Sequence, residues 1–277
     1  MKWRVQERKG FNRIIGPGDG GLRYLSFSRL VLDAGSSWSG NTGKEEVAIV
    51  VLSGTCSIST EKANFDGVGK RSDVFSGKPF LLYLPRKVSY TIRASSRLDA
   101  AIIGAVSKKD TKQVLVKPQD TTESIVGVLN WRRKVVTVFG ADKLADKLLV
   151  GETFNSPGCW SSIPPHKHDR DDPPDERKLE EIYFYKLMPA QGFGIQWIYS
   201  QKGRGEELNE AIAVEDNDLV AIPRGYHPVV AGPGYRLYYL WAMAGINREY
   251  GRFAIDPKHA WLGNLEPIVR EFLEGRC

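Results

Sequence analysis

Three of the chain's four histidines fall into one pattern: His166-Lys167-His168, then Glu181, then His227 within Ile222-Pro223-Arg224-Gly225-Tyr226-His227-Pro228. Residues i and i+2 of a β-strand share a face, so His166 and His168 can aim two imidazoles at one point. Three neutral nitrogens and one carboxylate suit a divalent metal ion, zinc first and manganese or iron as alternatives, with positions left open for a substrate. A metal with open positions points to chemistry. The acid has a neighbour, Glu180, and adjacent strand residues face opposite ways, so only one of the pair can point inward. If that one is Glu181, Tyr183 and Tyr185 share its face. They then either present hydroxyls beside the metal or serve as ordinary core aromatics.

The elements that must position these groups are strands. Short apolar runs are punctuated by Gly, Pro, Asn and Asp throughout, which predicts a β-rich chain. Strands are expected at Val47–Leu52, Phe80–Leu84, Ala100–Ala105, Ile182–Lys186, Gly194–Tyr199, Asp218–Ile222 and Arg236–Ala242. Helix is expected only at the end, Leu265–Glu274, where Leu265, Ile268, Val269 and Leu273 recur at helical spacing. The charged segment Asp169–Leu179 contains Pro173-Pro174, which excludes a regular strand interior. It reads as an exposed loop beside the ligands, either solvated or acting as a lid.

The two halves of the chain echo each other. Glu45-Glu46-Val47-Ala48-Ile49-Val50 resembles Glu180-Glu181-Ile182-Tyr183-Phe184-Tyr185, and Leu84-Pro85-Arg86 resembles Ile222-Pro223-Arg224. From Glu46 to Pro85 is 39 residues, and from Glu181 to Pro223 is 42. Ser89 then falls in the place of His227, and Ser36–Gly43, where the paired histidines would sit, has none. An internal duplication whose second copy alone keeps the ligands explains this. We expect an N-terminal half over 1–125, a metal-binding half over 126–277, and a connecting segment over 107–135.

Composition narrows the function class. The chain has 277 residues, 42% hydrophobic and 26% charged, as in ordinary globular proteins. The formal net charge of +6 is spread among acids rather than clustered, so a nucleic-acid partner is not expected, and an anionic small molecule is. Cys56, Cys159 and Cys277 are far apart and odd in number, which fits reduced thiols in a cytoplasm. Met1–Arg8 shows no apolar signal core, and no apolar run approaches a membrane span, so a cytoplasmic location and no membrane partner are expected. A homo-oligomer is compatible with all of this.

The histidine pattern with its Pro-x-Gly turn resembles the cupin superfamily of small antiparallel β-barrels, here as a bicupin. More specific strings are Pro164-Pro165-His166-Lys167-His168-Asp169, Glu180–Tyr185, Gln191-Gly192-Phe193-Gly194, Pro223–Pro228 and Asp256-Pro257-Lys258-His259-Ala260-Trp261. Together they resemble the 5-deoxy-glucuronate isomerase family of bacterial myo-inositol catabolism. The first half matches more loosely, through Gly54 and Tyr83-Leu84-Pro85. The resemblance implies an all-β fold of two tandem cupin barrels, and an aldose–ketose isomerase. Such an enzyme converts 5-deoxy-D-glucuronate into 5-dehydro-2-deoxy-D-gluconate. The related uronate ketol-isomerase family of pectin breakdown shares the four ligands, and its aromatic strand after Glu favours Glu181 over Glu180. Here twelve residues separate His168 from Glu181, more than a typical cupin has.

An isomerase of this kind moves a hydrogen between neighbouring carbons, by an enediol with a base near neutral pKa or by a metal-assisted hydride shift. Tyr183, Tyr185, Glu210 and a metal-bound hydroxide are the candidate bases. The sugar-acid carboxylate calls for a bidentate arginine, and Arg224 is the first candidate, Arg236 the second. His259 is expected to pack or to support the site, Trp241 and Trp261 to fill core or cover a barrel mouth, and Cys159 is a weak soft-ligand candidate. Two competing readings are a dioxygenase on the same scaffold, marked by redox-active iron, and a sugar-sensing or storage cupin. The second would lack the ligands or carry a DNA-binding segment.

Overall fold

The two glutamate-led runs do not alternate polar with apolar because both faces of each strand are buried. In Glu45–Ser53, Val47, Ile49 and Val51 point into one hydrophobic core, while Ala48, Val50 and Leu52 point into another. In Glu180–Met188, Tyr183, Tyr185 and Leu187 line a third core, and Ile182 and Phe184 join the one shared with Ala48. The shared core is the seam where two large sheets pack face to face. The computed structural model that shows this describes residues 1–201 and 207–273.

Each half is an antiparallel barrel built from one large and one small sheet. The first half's six-stranded sheet runs Val114–Val116, Leu81–Leu84, Glu45–Ser53, Leu98–Val106, Leu25–Leu32, Gly10–Ile15. A four-stranded sheet including Ser37–Asn41 and Ser89–Ala94 closes it. The second half's seven-stranded sheet runs Lys2–Arg4, Asp218–Ile222, Glu180–Met188, Arg236–Ala244, Leu148–Asn155, Arg133–Phe139, Thr122–Val126. Its small sheet contains Trp160–Ser161, Val229–Ala231, Phe193–Tyr199 and Asn209–Glu215. All seven expected strands are present, extended by a residue or two at some ends, except that Leu81–Leu84 begins one residue later than expected. The terminal helix spans Trp261–Leu273, beginning earlier than its apolar spacing showed; Glu274 and Cys277 lie outside the described residues.

Two expectations about the halves change. The segment expected to connect them holds structure of its own: the strands Val114–Val116 and Thr122–Val126 belong to opposite sheets, so the chain crosses over between them. A boundary at 125/126 cuts the second of these strands. The first strand, Lys2–Arg4, also pairs with Asp218–Ile222 of the other half. The sequence echo, moreover, is offset by one residue. Ala105 pairs with Glu46 and Leu25, while Ala244 pairs with Glu180 and Leu148. Glu46 therefore corresponds to Glu180, and Val47 corresponds to Glu181. This register also keeps Leu84 opposite Val47 as Ile222 is opposite Glu181.

The matched glutamates brace the two halves reciprocally. Glu180 accepts backbone N–H bonds from Arg23, Tyr24 and Leu25, each at 2.7 Å, where the chain enters its first-half sheet. Glu46 accepts from Asp146, Lys147 and Leu148 at 2.8, 2.7 and 2.8 Å, where the chain enters the second. Three N–H donors per carboxylate satisfy buried backbone groups that no sheet ladder reaches.

Candidate active site

Glu181 faces into the second barrel, and His168 and His227 meet it there. One donor atom from each of the three lies within 4.8 Å of the other two, and all three residues are buried. Glu181 Oε2 stands 3.1 Å from His168 Nε2 and 3.3 Å from His227 Nε2. Each ring is fixed from behind. His168 Nδ1 donates to the Leu179 carbonyl at 2.5 Å, and His227 Nδ1 donates to the Gly225 carbonyl at 2.8 Å. Those bonds leave the Nε2 atoms turned toward the carboxylate. His227 Nε2 is buried without a hydrogen-bond partner among the described residues. A buried lone pair facing a carboxylate oxygen is repelled unless a cation lies between them. The donor set therefore fits a divalent ion.

His166 stands beside this trio. Its ring is stacked on Phe253 (centroids 4.7 Å, 14° between planes) and meets the His227 ring edge-on at 4.9 Å. It lines the same cavity as His168 and Glu181. Burial, with His227 and His168 nearby, holds the His166 imidazole well below its ordinary value. Burial also lowers His227. Burial acts downward on His168 too, but its hydrogen bond to Glu181 and that group's charge outweigh it and raise the imidazole.

Local structure explains why these side chains converge. The cation of Lys167, between the histidines, pairs with Glu176 at 2.8 Å, and Glu176 also accepts the Asp169 and Arg170 N–H groups at 2.6 and 3.0 Å. Asp169 accepts the Gly225 N–H at 2.8 Å, tying the loop 169–179 to the turn that carries His227. Gly225 has φ +97°, and a Cβ there would sit 2.9 Å from the Tyr199 carbonyl, so the turn requires glycine. Behind the turn, Gln196 Nε2 donates to the carbonyls of His227 (2.7 Å) and Pro228 (3.0 Å).

The cavity has a volume of about 400 Å³. Besides His166, His168 and Glu181 it presents Tyr183, Tyr239, Ser162, Trp241, Arg133 and Glu266. The Tyr183 hydroxyl lies 3.4 Å from Ser162 Oγ, and its ring stacks on Tyr239 at 4.2 Å. Burial, then the charge of Glu181, pushes the Tyr183 phenol well above its ordinary value. Tyr185 is on the same face but deeper; it donates to Gln196 Oε1 at 2.5 Å and does not line the cavity.

The remaining candidates are not brought to this cavity. Glu210 is exposed on the strand Asn209–Glu215. Arg224 lines a different pocket, with Lys167, Asp169 and Tyr226, because the turn at Gly225 separates its direction from that of His227. Arg236 is exposed and lies over the Phe75 ring, 4.9 Å from its centre. His259 borders an apolar cleft with Trp131 and Trp160, Trp261 is 58% exposed, and Cys159 is half-buried outside the cavity lining. Arg133 and Glu266 were missed by sequence reasoning. Glu266 lies within the expected terminal helix, and only the packing of that helix over the cavity shows its place.

Two antiparallel barrels packed back to back, one with a buried His/Glu donor set, define a double-cupin protein with one candidate metal centre. Solved structures agree. An oxalate decarboxylase from Lactobacillus farciminis superposes with a TM-score of 0.66 at 10% identity, covering 98% of this chain and 92% of that one, a likeness of fold. An IolB-like protein from Salmonella typhimurium LT2 superposes with a TM-score of 0.89 at 32% identity, covering 95% and 98%. The 5-deoxy-glucuronate isomerase of Geobacillus kaustophilus (strain HTA426) is 36% identical over 249 residues, 90% of this chain and 89% of that one. Residues 4–262 match the KduI/IolB family, and the chain belongs to it. No helix among the described residues is long and apolar enough to cross a membrane.

Proposed function

We propose that the chain is an aldose–ketose isomerase that converts 5-deoxy-D-glucuronate into 5-dehydro-2-deoxy-D-gluconate in myo-inositol catabolism. The observation that carries this is the near full-length match to curated 5-deoxy-glucuronate isomerases, such as the one 37% identical over 243 residues in Halalkalibacterium halodurans. The cavity supports it chemically, since its lining joins the donor set to hydroxyl, guanidinium and carboxyl groups as well as aromatic rings.

His166, His168, Glu181 and His227 would hold one divalent ion, zinc first and manganese or iron as alternatives. When bound, such an ion polarises the substrate carbonyl and stabilises the oxyanion that develops there. The chain's own groups do the rest. Tyr183 and Ser162 offer hydroxyls at the cavity wall for the sugar's oxygens. Tyr239, Trp241 and Phe253 exclude water from the reacting carbons, which protects an enediol from side reactions. Tyr185 acts from behind, through Gln196, on the backbone at His227. The free, buried Cys56 and half-buried Cys159 suit a reducing, cytoplasmic setting.

The test is to incubate metal-loaded protein with 5-deoxy-D-glucuronate and follow loss of the aldehyde and growth of the ketone by NMR. Stoichiometric conversion without oxygen uptake is expected. Oxygen consumption, or an unchanged aldehyde with reloaded protein, would reject the isomerase reading.

A further inference from the structure

The only cationic side chain among the described residues that line the cavity is Arg133, on the strand Arg133–Phe139. Its Nη1 donates to two backbone carbonyls, Trp131 at 3.2 Å and Ile163 at 3.0 Å. No carboxylate among the described residues pairs with it. Both acids of the cavity are committed elsewhere: Glu181 to the histidines, and Glu266 to Arg270 Nη2 at 2.7 Å and the Gly127 N–H at 3.1 Å. Gly127, with φ +77°, lets the chain wrap the guanidinium closely; a Cβ there would stand 2.9 Å from Nη1 and 2.3 Å from the Trp131 carbonyl. The fork is thus held in place by neutral groups on one edge, while Nε and Nη2 make no hydrogen bond to the described protein.

A half-buried guanidinium in no salt bridge, with the Glu266 charge in the same cavity already bonded to Arg270, is under-compensated, and a carboxylate arriving in the cavity removes that cost. Planar two-donor geometry matches a carboxylate better than an ammonium would. We propose that Arg133 binds the carboxylate of the sugar-acid substrate and so selects uronic acids over neutral aldoses. This rests on the isomerase reading above, whose substrate carries an aldehyde at one end and a carboxylate at the other. Arg133 takes the place that sequence proximity had suggested for Arg224.

The experiment compares the metal-loaded parent with Arg133→Met and Arg133→Lys. Each is assayed on 5-deoxy-D-glucuronate and on 5-deoxy-D-glucose, which has a hydroxymethyl group in place of the carboxylate. Binding of D-glucuronate is measured in parallel by calorimetry. Arg133→Met should lose about ten- to a hundredfold in kcat/KM for the acid, mostly through KM, and bind D-glucuronate weaker by a similar factor. Its activity on the neutral sugar should change little, so the acid preference collapses. Arg133→Lys, which keeps charge and fold, should lose less. Metal content and melting temperature should match the parent in both. If Arg133→Lys and Arg133→Met keep the parent's acid preference and D-glucuronate affinity, or lose activity only in step with lost metal, Arg133 is not the carboxylate site. A parent inactive on the acid would reject the isomerase reading instead, while the calorimetry would still judge Arg133.

Discussion

The first barrel and the second share their strand order, their pairing register and even their bracing glutamates, yet among the described residues only the second gathers a metal-type donor set. The difference is a handful of inward positions. Where the second barrel has Glu181, the first has Val47; Ser89, which falls in the place of His227 in the sequence echo, is exposed, and the inward residues of its strand are Tyr90 and Ile92. Register likewise matches Tyr183, Tyr185 and Tyr239 with Ile49, Val51 and Ala100. The first interior is closed by Leu30, Ile49, Leu82, Tyr90 and Ile92 and is an ordinary hydrophobic core. The fold is therefore held by burial and by reciprocal bracing that both halves possess, and the site is an exception cut into one of them. Phe27 against Phe184, at 5.1 Å across the shared core, shows the two large sheets packed on each other irrespective of the site.

Six substitutions would break or sharpen that contrast. Val47→Glu puts a carboxylate at the position of Glu181 in a barrel with no histidine to meet it. An uncompensated buried charge costs about 3–5 kcal/mol, and denaturant melts should show a loss of that size with no second ion bound. Stable protein carrying an extra ion would mean that the first barrel is a latent site. Glu181→Gln should lower activity by about a hundred- to a thousandfold, since the ion's contribution is several kcal/mol; steady-state rates with metal content measured on the same sample check this.

Glu180→Gln should behave differently from its neighbour. It should keep its ion and lose about 2–3 kcal/mol of stability, because an amide cannot accept from three N–H groups as a carboxylate does. That is a drop of roughly 4–12 °C in melting temperature. Glu46→Gln should match it, and unequal drops would show that the two braces are not equivalent. A smaller effect is expected for Tyr183→Phe, about tenfold in kcat with metal retained, the value of one hydrogen bond to substrate. Tyr185→Phe, whose hydroxyl touches Gln196 rather than the cavity, should cost less. A larger loss in Tyr185→Phe would place that residue, and not Tyr183, at the chemistry.

Much of this was legible in the sequence because strand alternation is a strong rule. It separates Glu181 from Glu180 and sends Tyr183 inward, and the i, i+2 spacing of His166 and His168 marks one face. Paired glutamates in both halves hid the one-residue offset, since either acid fits the echo, and only strand pairing shows that Val47 replaces Glu181. Arg224 lies outside the cavity for a related reason: nearness in sequence says nothing of direction when a positive-φ glycine, Gly225, stands between. Arg133 was invisible because its strand, with Arg132, Arg133 and Lys134 at one end, reads as a charged connection. Its place in the cavity comes from long-range pairing with Leu148–Asn155, which no local pattern announces.

The claim that one barrel alone is a metal centre is tested most directly by metal stoichiometry. Parent, Glu180→Gln and Glu181→Gln would be reloaded under identical conditions and assayed by elemental analysis. One divalent ion per chain is expected in the parent and in Glu180→Gln, and a much reduced content in Glu181→Gln. Two tightly bound ions per parent chain, none after reloading, or equal retention in the two variants would contradict it.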